Sequence, residues 1–264
     1  EPHDRKAHHG VFSSHYDEAR ITRGFDGDPV WAELAKRSIA RYGEIEARSG
    51  VRFYHEVGCL FVGNGKGLGG DYVAGAMREK DRLALDIELY DNAALKPRFP
   101  MFALPDDHDG WFEPRNAGYV NPRALVRAQV SLAESQGAAL IRETVTRVHD
   151  TAAGVEIKTH EGRRYTGEKV IVAAGGFTNM ADLLPAKVDM AATGRTIAFF
   201  ELDERKQQAF SAMPSTIVLA QNADDIVYIL PPVRYPDGKV YLKIGGESEK
   251  GRLNTLGEAV SWFH

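Results

Sequence analysis

The run Val170-Ile171-Val172-Ala173-Ala174, closed by Gly175-Gly176, constrains this chain more than any other feature. A stretch that is apolar at every position reads as a strand covered on both faces, the usual state of a central strand in a parallel sheet. It is far shorter than the roughly 20 apolar residues needed to cross a bilayer. It also closes a longer unit. Asn121-Pro122 caps a helix over 123–136, with Leu125, Val126, Val130, Leu132 and Ala133 as its apolar positions, and Gly137 ends it. Strands are expected at 139–142 and 144–150. Val155 to Thr159 alternates strictly and predicts a hairpin arm, with 163–166 as its partner.

The remainder alternates helix and strand signals. Asp28 is placed as an N-cap with Pro29 behind it. Trp31, Leu34, Ala35, Ile39 and Tyr42 share one helical face, and Ser49-Gly50 supplies the stop. Residues 53–62 read as strands, 63–70 as a glycine-rich turn, 71–82 as a helix and 85–89 as a short strand. Residues 93–102 read as a short helix broken at Pro97 and Pro100. Strand patterns follow at 195–201, 216–220, 226–230 and 240–244, separated by turns such as Pro236-Asp237-Gly238. Helices interleaved with strands, then an antiparallel-looking sheet, predict a mixed α/β chain of two intertwined domains.

Composition removes several classes of function. With 43% hydrophobic residues among 264, a sizeable core is available. A net charge of -4 argues against a nucleic-acid footprint, which needs a basic face. Without a long apolar run, no membrane partner is expected. The single cysteine, Cys59, lies in an apolar strand pattern and reads as a buried, inert thiol in a reducing, cytoplasmic setting. No metal site is expected. His3, His8 and His9 are close in sequence but lack acidic or cysteine partners at ligand spacing. Ser14, His15 and Asp17 are loop neighbours, and their spacing does not make a catalytic triad. The chain opens on Glu1 with no strand before it and closes on Trp262-Phe263-His264, so both ends are expected to be cut.

Several segments together resemble one family. Ser14, His15, Arg20 and Arg23 match a Ser-His-x-x-x-x-Arg-x-x-Arg pattern position by position. Val57 to Gly63 resembles a strand entering a substrate domain. Phe112-Glu113-Pro114-Arg115-Asn116-Ala117-Gly118-Tyr119 resembles a Glu-Pro-x-x-Gly return, with one extra residue. Val170 to Phe177 resembles an Ile-Val-x-x-Gly-Ala-Trp segment, and Tyr241 to Gly246 a strand carrying a lysine. In this order the chain is similar to the FAD-dependent amine oxidoreductases of the D-amino acid oxidase superfamily, in their monomeric sarcosine oxidase-like group. Two of that group's features are absent: the Gly-x-Gly-x-x-Gly turn, and the C-terminal flavin segment with its cysteine and substrate lysine. Gly63, Gly65 and Gly67 are not a substitute for that turn, since no helix is expected to begin there.

The resemblance implies a partial FAD-binding Rossmann-like domain (1–57 and 119–180) intertwined with a mixed or antiparallel-sheet substrate-binding domain (58–118 and 181–264). It implies oxidation of a small amino acid or N-methyl amino acid at its C–N bond by FAD, a cofactor this chain alone is not expected to retain. Lys243 would sit beside the flavin and stabilise charge on oxygen as it is reduced, and Arg20 would lie against the flavin ring. Arg23 would hold the substrate carboxylate, a task suited to a planar guanidinium. Tyr228 would help line the substrate pocket. Ser13, Ser14 and His15 would border the cofactor, Val145 the adenine, and Gly175 and Gly176 the pyrophosphate. The competing reading is a non-catalytic α/β piece that binds no flavin.

Overall fold

The structure is a computed structural model and describes residues 13–246 and 251–263. Along the chain run β1 (Arg20–Thr22), α1 (Pro29–Ser49), β2 (Tyr54–His55), β3 (Cys59–Gly63), α2 (Gly67–Leu83), β4 (Glu88–Tyr90), α3 (Asn92–Arg98), β5 (Asp109–Glu113) and β6 (Gly118–Val120). There follow α4 (Pro122–Ser135), β7 (Val145–Thr151), β8 (Gly154–Thr159), β9 (Arg164–Gly167), β10 (Ala192–Thr193), β11 (Ile197–Glu201) and α5 (Glu204–Ala209). The last elements are β12 (Ser215–Val218), β13 (Val227–Arg234), β14 (Val240–Gly246), β15 (Arg252–Leu253) and α6 (Leu256–Phe263). The fold is mixed α/β, as expected. Packing divides it into two compact units, each described by itself below.

The first unit contains residues 15–136 and 195–246. Its centre is a seven-stranded sheet in the order β11-β14-β13-β12-β3-β5-β4. Neighbours are antiparallel except at β12–β3, where Ser215 lies opposite Cys59 and Val218 opposite Val62 in parallel register. Every residue of β3 is buried. Alternation sends Cys59 and Phe61 to one face, against Phe25, Val73, Ala76 and Leu219. Leu60 and Val62 face the other way, against Leu95, Phe99 and Phe112. A small sheet, β1-β6-β2, lies apart from this one. Beside it α1 and α4 enclose Phe53, Val120, Ala124 and Ala128.

Both caps expected on these helices form. The Asp28 carboxylate accepts the Val30 and Trp31 amides at the start of α1, and the Asn121 side chain accepts the Ala124 amide at the start of α4. Gly50 ends α1 at φ 69°, a left-handed conformation that glycine adopts without strain. Some boundaries differ from expectation: α3 runs unbroken through Pro97, and α2 starts early. Helix α2 begins at Gly67, inside the segment read as a turn. The reason is close packing: a β-carbon at Gly67 would lie 2.9 Å from the Gln221 Cα, and one at Gly69 would lie 2.9 Å from the Ala220 carbonyl oxygen. The Leu68 and Gly69 amides donate to the Gln221 and Ala220 carbonyls. These glycines therefore serve helix–loop packing, and two amides that could cradle a phosphate are already used.

The second unit contains residues 137–194 and 251–263, with Ser13 and Ser14. It holds the three-stranded sheet β7-β8-β9 and the short pair β10-β15. The hairpin at 155–167 forms as expected, Val155 lying opposite Gly167. Two expected strands do not form. Residues 138–144 are irregular, with Leu140 and Ile141 exposed, and 170–174 are irregular, with Ile171 91% exposed. A parallel strand exists only through ladder hydrogen bonds to neighbours on its flanks, and no strand among the described residues pairs with 139–142 or 170–174. Gly175 to Phe177 instead form a short 3-10 turn. Among the described residues, no helix is long and apolar enough to cross a membrane.

Candidate functional site

Residues 15–26 form a strap across one face of the seven-stranded sheet. Ala19 packs with Leu230 and Tyr119, and Ile21 touches both this cluster and the one around Phe61. Phe25 meets Phe61 edge to face, with ring centroids 5.2 Å apart. Short β1 pairs with β6, so Arg20 lies opposite Val120 and Thr22 opposite Gly118. The strap is also tied to α4. Glu18 accepts from the side chain of the capping Asn121 at 2.6 Å and pairs with Arg123 at 3.0 Å.

One end of the strap meets β14. Lys243 is 1% exposed, so it faces the strap and not solvent. Its ammonium donates to Asp17 Oδ2 and to the Ala19 carbonyl, both at 2.6 Å. Two of its three N–H bonds are thus committed, and the third has no partner among the described residues. Asp17 is equally enclosed. Its Oδ1 accepts from the Tyr235 hydroxyl at 2.9 Å and from the Glu18 amide at 2.8 Å, and its Oδ2 also meets Arg20 Nε at 3.2 Å. Burial by itself would raise the Asp17 carboxyl, but the Lys243 and Arg20 charges hold it below the usual carboxylate range. Burial pushes the Lys243 ammonium down, opposed by Asp17. Burial and Asp17 together push the Tyr235 phenol up. The Tyr228 ring lies 5.8 Å from the Lys243 nitrogen.

The other end of the strap meets β3 and β5. Arg23 donates through Nη2 to the Tyr72 hydroxyl at 2.9 Å and pairs with Asp26 at 2.8 Å. Its guanidinium lies 5.6 Å from the Phe61 ring centroid, while its buried Nε has no hydrogen-bond partner. Beneath it, Glu113 is 2% exposed and accepts the Gly24 and Phe25 amides at 3.0 Å each. Burial pushes the Glu113 carboxyl up to about 7, against those two amides and the Arg23 charge. Cys59 lies close by, fully buried, with its thiol pushed well up by burial.

The structure therefore gathers Lys243, Arg20, Arg23 and Tyr228 on one strap and sheet face, with His15 at the head of the strap. Val145, Gly175 and Gly176 belong to the second unit. Val145 is exposed, and a β-carbon at Gly175 would meet nothing within 4 Å. Ser13 and Ser14 are exposed. His3, His8 and His9 lie outside the described residues. Sequence reading missed Asp17, Asp26, Tyr72, Glu113 and Tyr235 as site residues. Only Glu113 carried a signal, its place in the Glu-Pro segment.

A buried ammonium and a partly buried guanidinium, each held by a carboxylate, lie along one sheet face and suit anionic or electron-rich groups. The chain belongs to the FAD dependent oxidoreductase (DAO) family, matching it over residues 3–261. It is 29% identical over 252 residues to monomeric sarcosine oxidase of Bacillus sp. (strain NS-129), covering 94% of this chain and 60% of that protein. It is 24% identical over 223 residues to N-methyl-L-tryptophan oxidase of Yersinia pestis (strain Pestoides F), covering 84% of this chain and 56% of that protein. In fold it is similar to NikD, an amino acid oxidase essential for nikkomycin biosynthesis, with TM-score 0.72 at 23% identity, covering 94% of this chain and 62% of that one. The chain thus spans about 60% of the length of the first of these relatives.

The family's cofactor is FAD. Toward the flavin ring the chemistry fits, because Lys243 keeps one uncommitted N–H and Arg20 adds a second positive charge beside it. In the second unit, 170–174 form no strand and a β-carbon at Gly175 would meet nothing within 4 Å.

Proposed function

We propose that the protein carrying this chain oxidises a small amino acid or N-methyl amino acid at its C–N bond. The observation that supports this most is the shared face: a buried ammonium and an anion-ready guanidinium at the two ends of one strap. When bound, FAD supplies the redox chemistry, accepting a hydride equivalent from the carbon that bears the amine. The chain's own residues supply placement and charge. Arg23 binds the substrate carboxylate. Tyr72 and Asp26 fix its Nη2 edge, and its Nε remains free to donate. Lys243 holds a positive charge in a nearly dry site, where such a charge acts most strongly. Arg20, half exposed, adds a second charge beside it, and Tyr228 borders the substrate. His15, Ser13 and Ser14 border the cofactor, with Val145, Gly175 and Gly176 at its nucleotide end.

The partition into FAD-binding (1–57, 119–180) and substrate-binding (58–118, 181–264) parts belongs to the same proposal. So does a cytoplasmic setting, supported by the single buried cysteine. The unpaired apolar run at 170–174 favours a second statement: the 264-residue chain alone retains no flavin.

Flavin absorbance tests both statements. The purified chain should lack the flavin bands, and a longer protein carrying these residues should show them. A yellow 264-residue chain overturns the claim about retention. A colourless longer protein, even with added FAD, overturns the proposed function and leaves a non-catalytic α/β piece. In the loaded protein, Lys243→Met should slow reoxidation of reduced flavin by oxygen, and an unchanged rate would remove Lys243 from that role.

A further inference from the structure

We propose that Asp17 is a positioning residue for Lys243, keeping a buried ammonium charged and aiming its one uncommitted N–H at the reacting side of the site. This rests on the proposed function only for what the ammonium does; the pairing itself stands on geometry. Asp17 approaches Lys243 at 2.6 Å, and both side chains are almost fully enclosed. An ammonium removed from water favours its neutral form unless an opposite charge is close. The charged and titratable groups around it are few. Asp17 and Arg20 come from the strap, Tyr228 from β13, and Tyr235 from the turn after β13, where it reaches Lys243 only through Asp17. Arg195, preceding β11, acts on Tyr228. Asp17 is the only carboxylate in direct contact with Lys243 among the described residues. Arg20 and the burial both work against the ammonium.

The geometry also fixes direction. Asp17 Oδ2 and the Ala19 carbonyl hold two N–H bonds, so rotation about the last side-chain bond is blocked and the third N–H has one orientation. Asp17 is itself oriented by Tyr235 and by the Glu18 amide on its other oxygen. The Asp17 carboxylate further reduces the charge that Lys243 and Arg20 present together from two positive to one. Its removal would alter both the protonation and the aim of Lys243.

The test uses the purified protein with 15N label at the lysine Nζ, the Lys243 signal being identified by its loss in Lys243→Met. In Asp17→Asn the Lys243 titration should move to lower pH, a loss of roughly tenfold or more in proton affinity, and Asp17→Glu should restore most of it. A role confined to stability would lower the melting temperature without moving this titration. An unmoved titration in Asp17→Asn therefore overturns the proposal. If Asp17→Asn does not fold, the double variant Asp17→Asn/Lys243→Met should recover folded yield, because no unpaired buried charge remains. A double variant no better folded than Asp17→Asn overturns the proposal too. Neither readout requires flavin, so a Lys243→Met protein with unchanged reoxidation would sink the oxygen-side role while leaving the pair in place.

Discussion

The Tyr228 ring lies flat across Gly245, its cross-strand partner, so closely that a β-carbon at 245 would sit 2.3 Å from the phenol oxygen. The absence of a side chain at 245 lets the tyrosine reach along β14 toward Lys243. Gly245→Ala should displace Tyr228 and cost about 1–3 kcal/mol, the usual range for overpacking. Thermal unfolding of the single variants and of Gly245→Ala/Tyr228→Ala checks this. The double variant should be less destabilised than the sum of the two singles, and simple additivity would mean that the two positions do not compete for space.

Glu113 should make the fold pH-dependent. Its folded value of about 7 lies above the ordinary 4.5, so the folded state binds this proton more tightly than the unfolded state. The stabilisation it contributes is therefore fully present below about pH 4.5 and declines as pH rises toward 7. At about 1.4 kcal/mol per pH unit the loss is on the order of 3 kcal/mol. Urea unfolding from pH 5 to 8 should show a decline in the wild type that Glu113→Gln lacks. The glutamine can still accept an amide from the Gly24–Phe25 turn. A variant that declines with the same slope would assign the pH dependence to another group.

Arg23 should resist conservative replacement. A lysine could reach either Asp26 or the Tyr72 hydroxyl, but it has no planar fork to leave a second edge free. In the flavin-loaded protein, Arg23→Lys should raise the KM for a carboxylate-bearing amine by roughly tenfold to a hundredfold, matching the loss of one charged hydrogen bond. The KM for an amine lacking the carboxylate should change little. Equal effects on both substrates would remove Arg23 from carboxylate binding.

The cap on α1 offers a check free of any functional reading. Asp28→Ala deletes bonds to the Val30 and Trp31 amides at 2.8 and 3.0 Å. The expected loss is about 1 kcal/mol, measured by thermal or denaturant unfolding, while Asp28→Asn should lose much less.

These sites differ in how far the sequence foretold them. Asp28-Pro29 and Asn121-Pro122 announce helix starts because capping is local chemistry, complete within four residues. Strand β3 was legible because all its side chains are apolar and all are buried. The run 170–174 carries the same signal, yet it has no strand partners among the described residues. Hydrophobicity reports a preference for being covered, whereas a strand also needs backbone neighbours. Lys243 was recognised through resemblance, but its burial was invisible because Val240, Leu242 and Ile244 make the apolar face of β14 and Lys243 lies on the other, with Tyr241 and Gly245. Asp17 was passed over because it sits in an aperiodic polar loop, and its partner lies 226 positions away. Glu113 illustrates the same limit: its meaning depends on the backbone of residues 24 and 25, which meet it only in the folded sheet.

The parallel seam between β3 and β12 has a consequence for biosynthesis. Cys59 leaves the ribosome long before Ser215, so β3 must wait with one hydrogen-bonding edge open while the intervening chain is made. The Asp17 carboxylate waits longer still for Lys243. Such high contact order makes for slow folding with an exposed, aggregation-prone intermediate. Early segments of this protein are therefore candidates for chaperone capture during synthesis, released in two steps as β12 closes the edge of β3 and β14 brings Lys243 to Asp17.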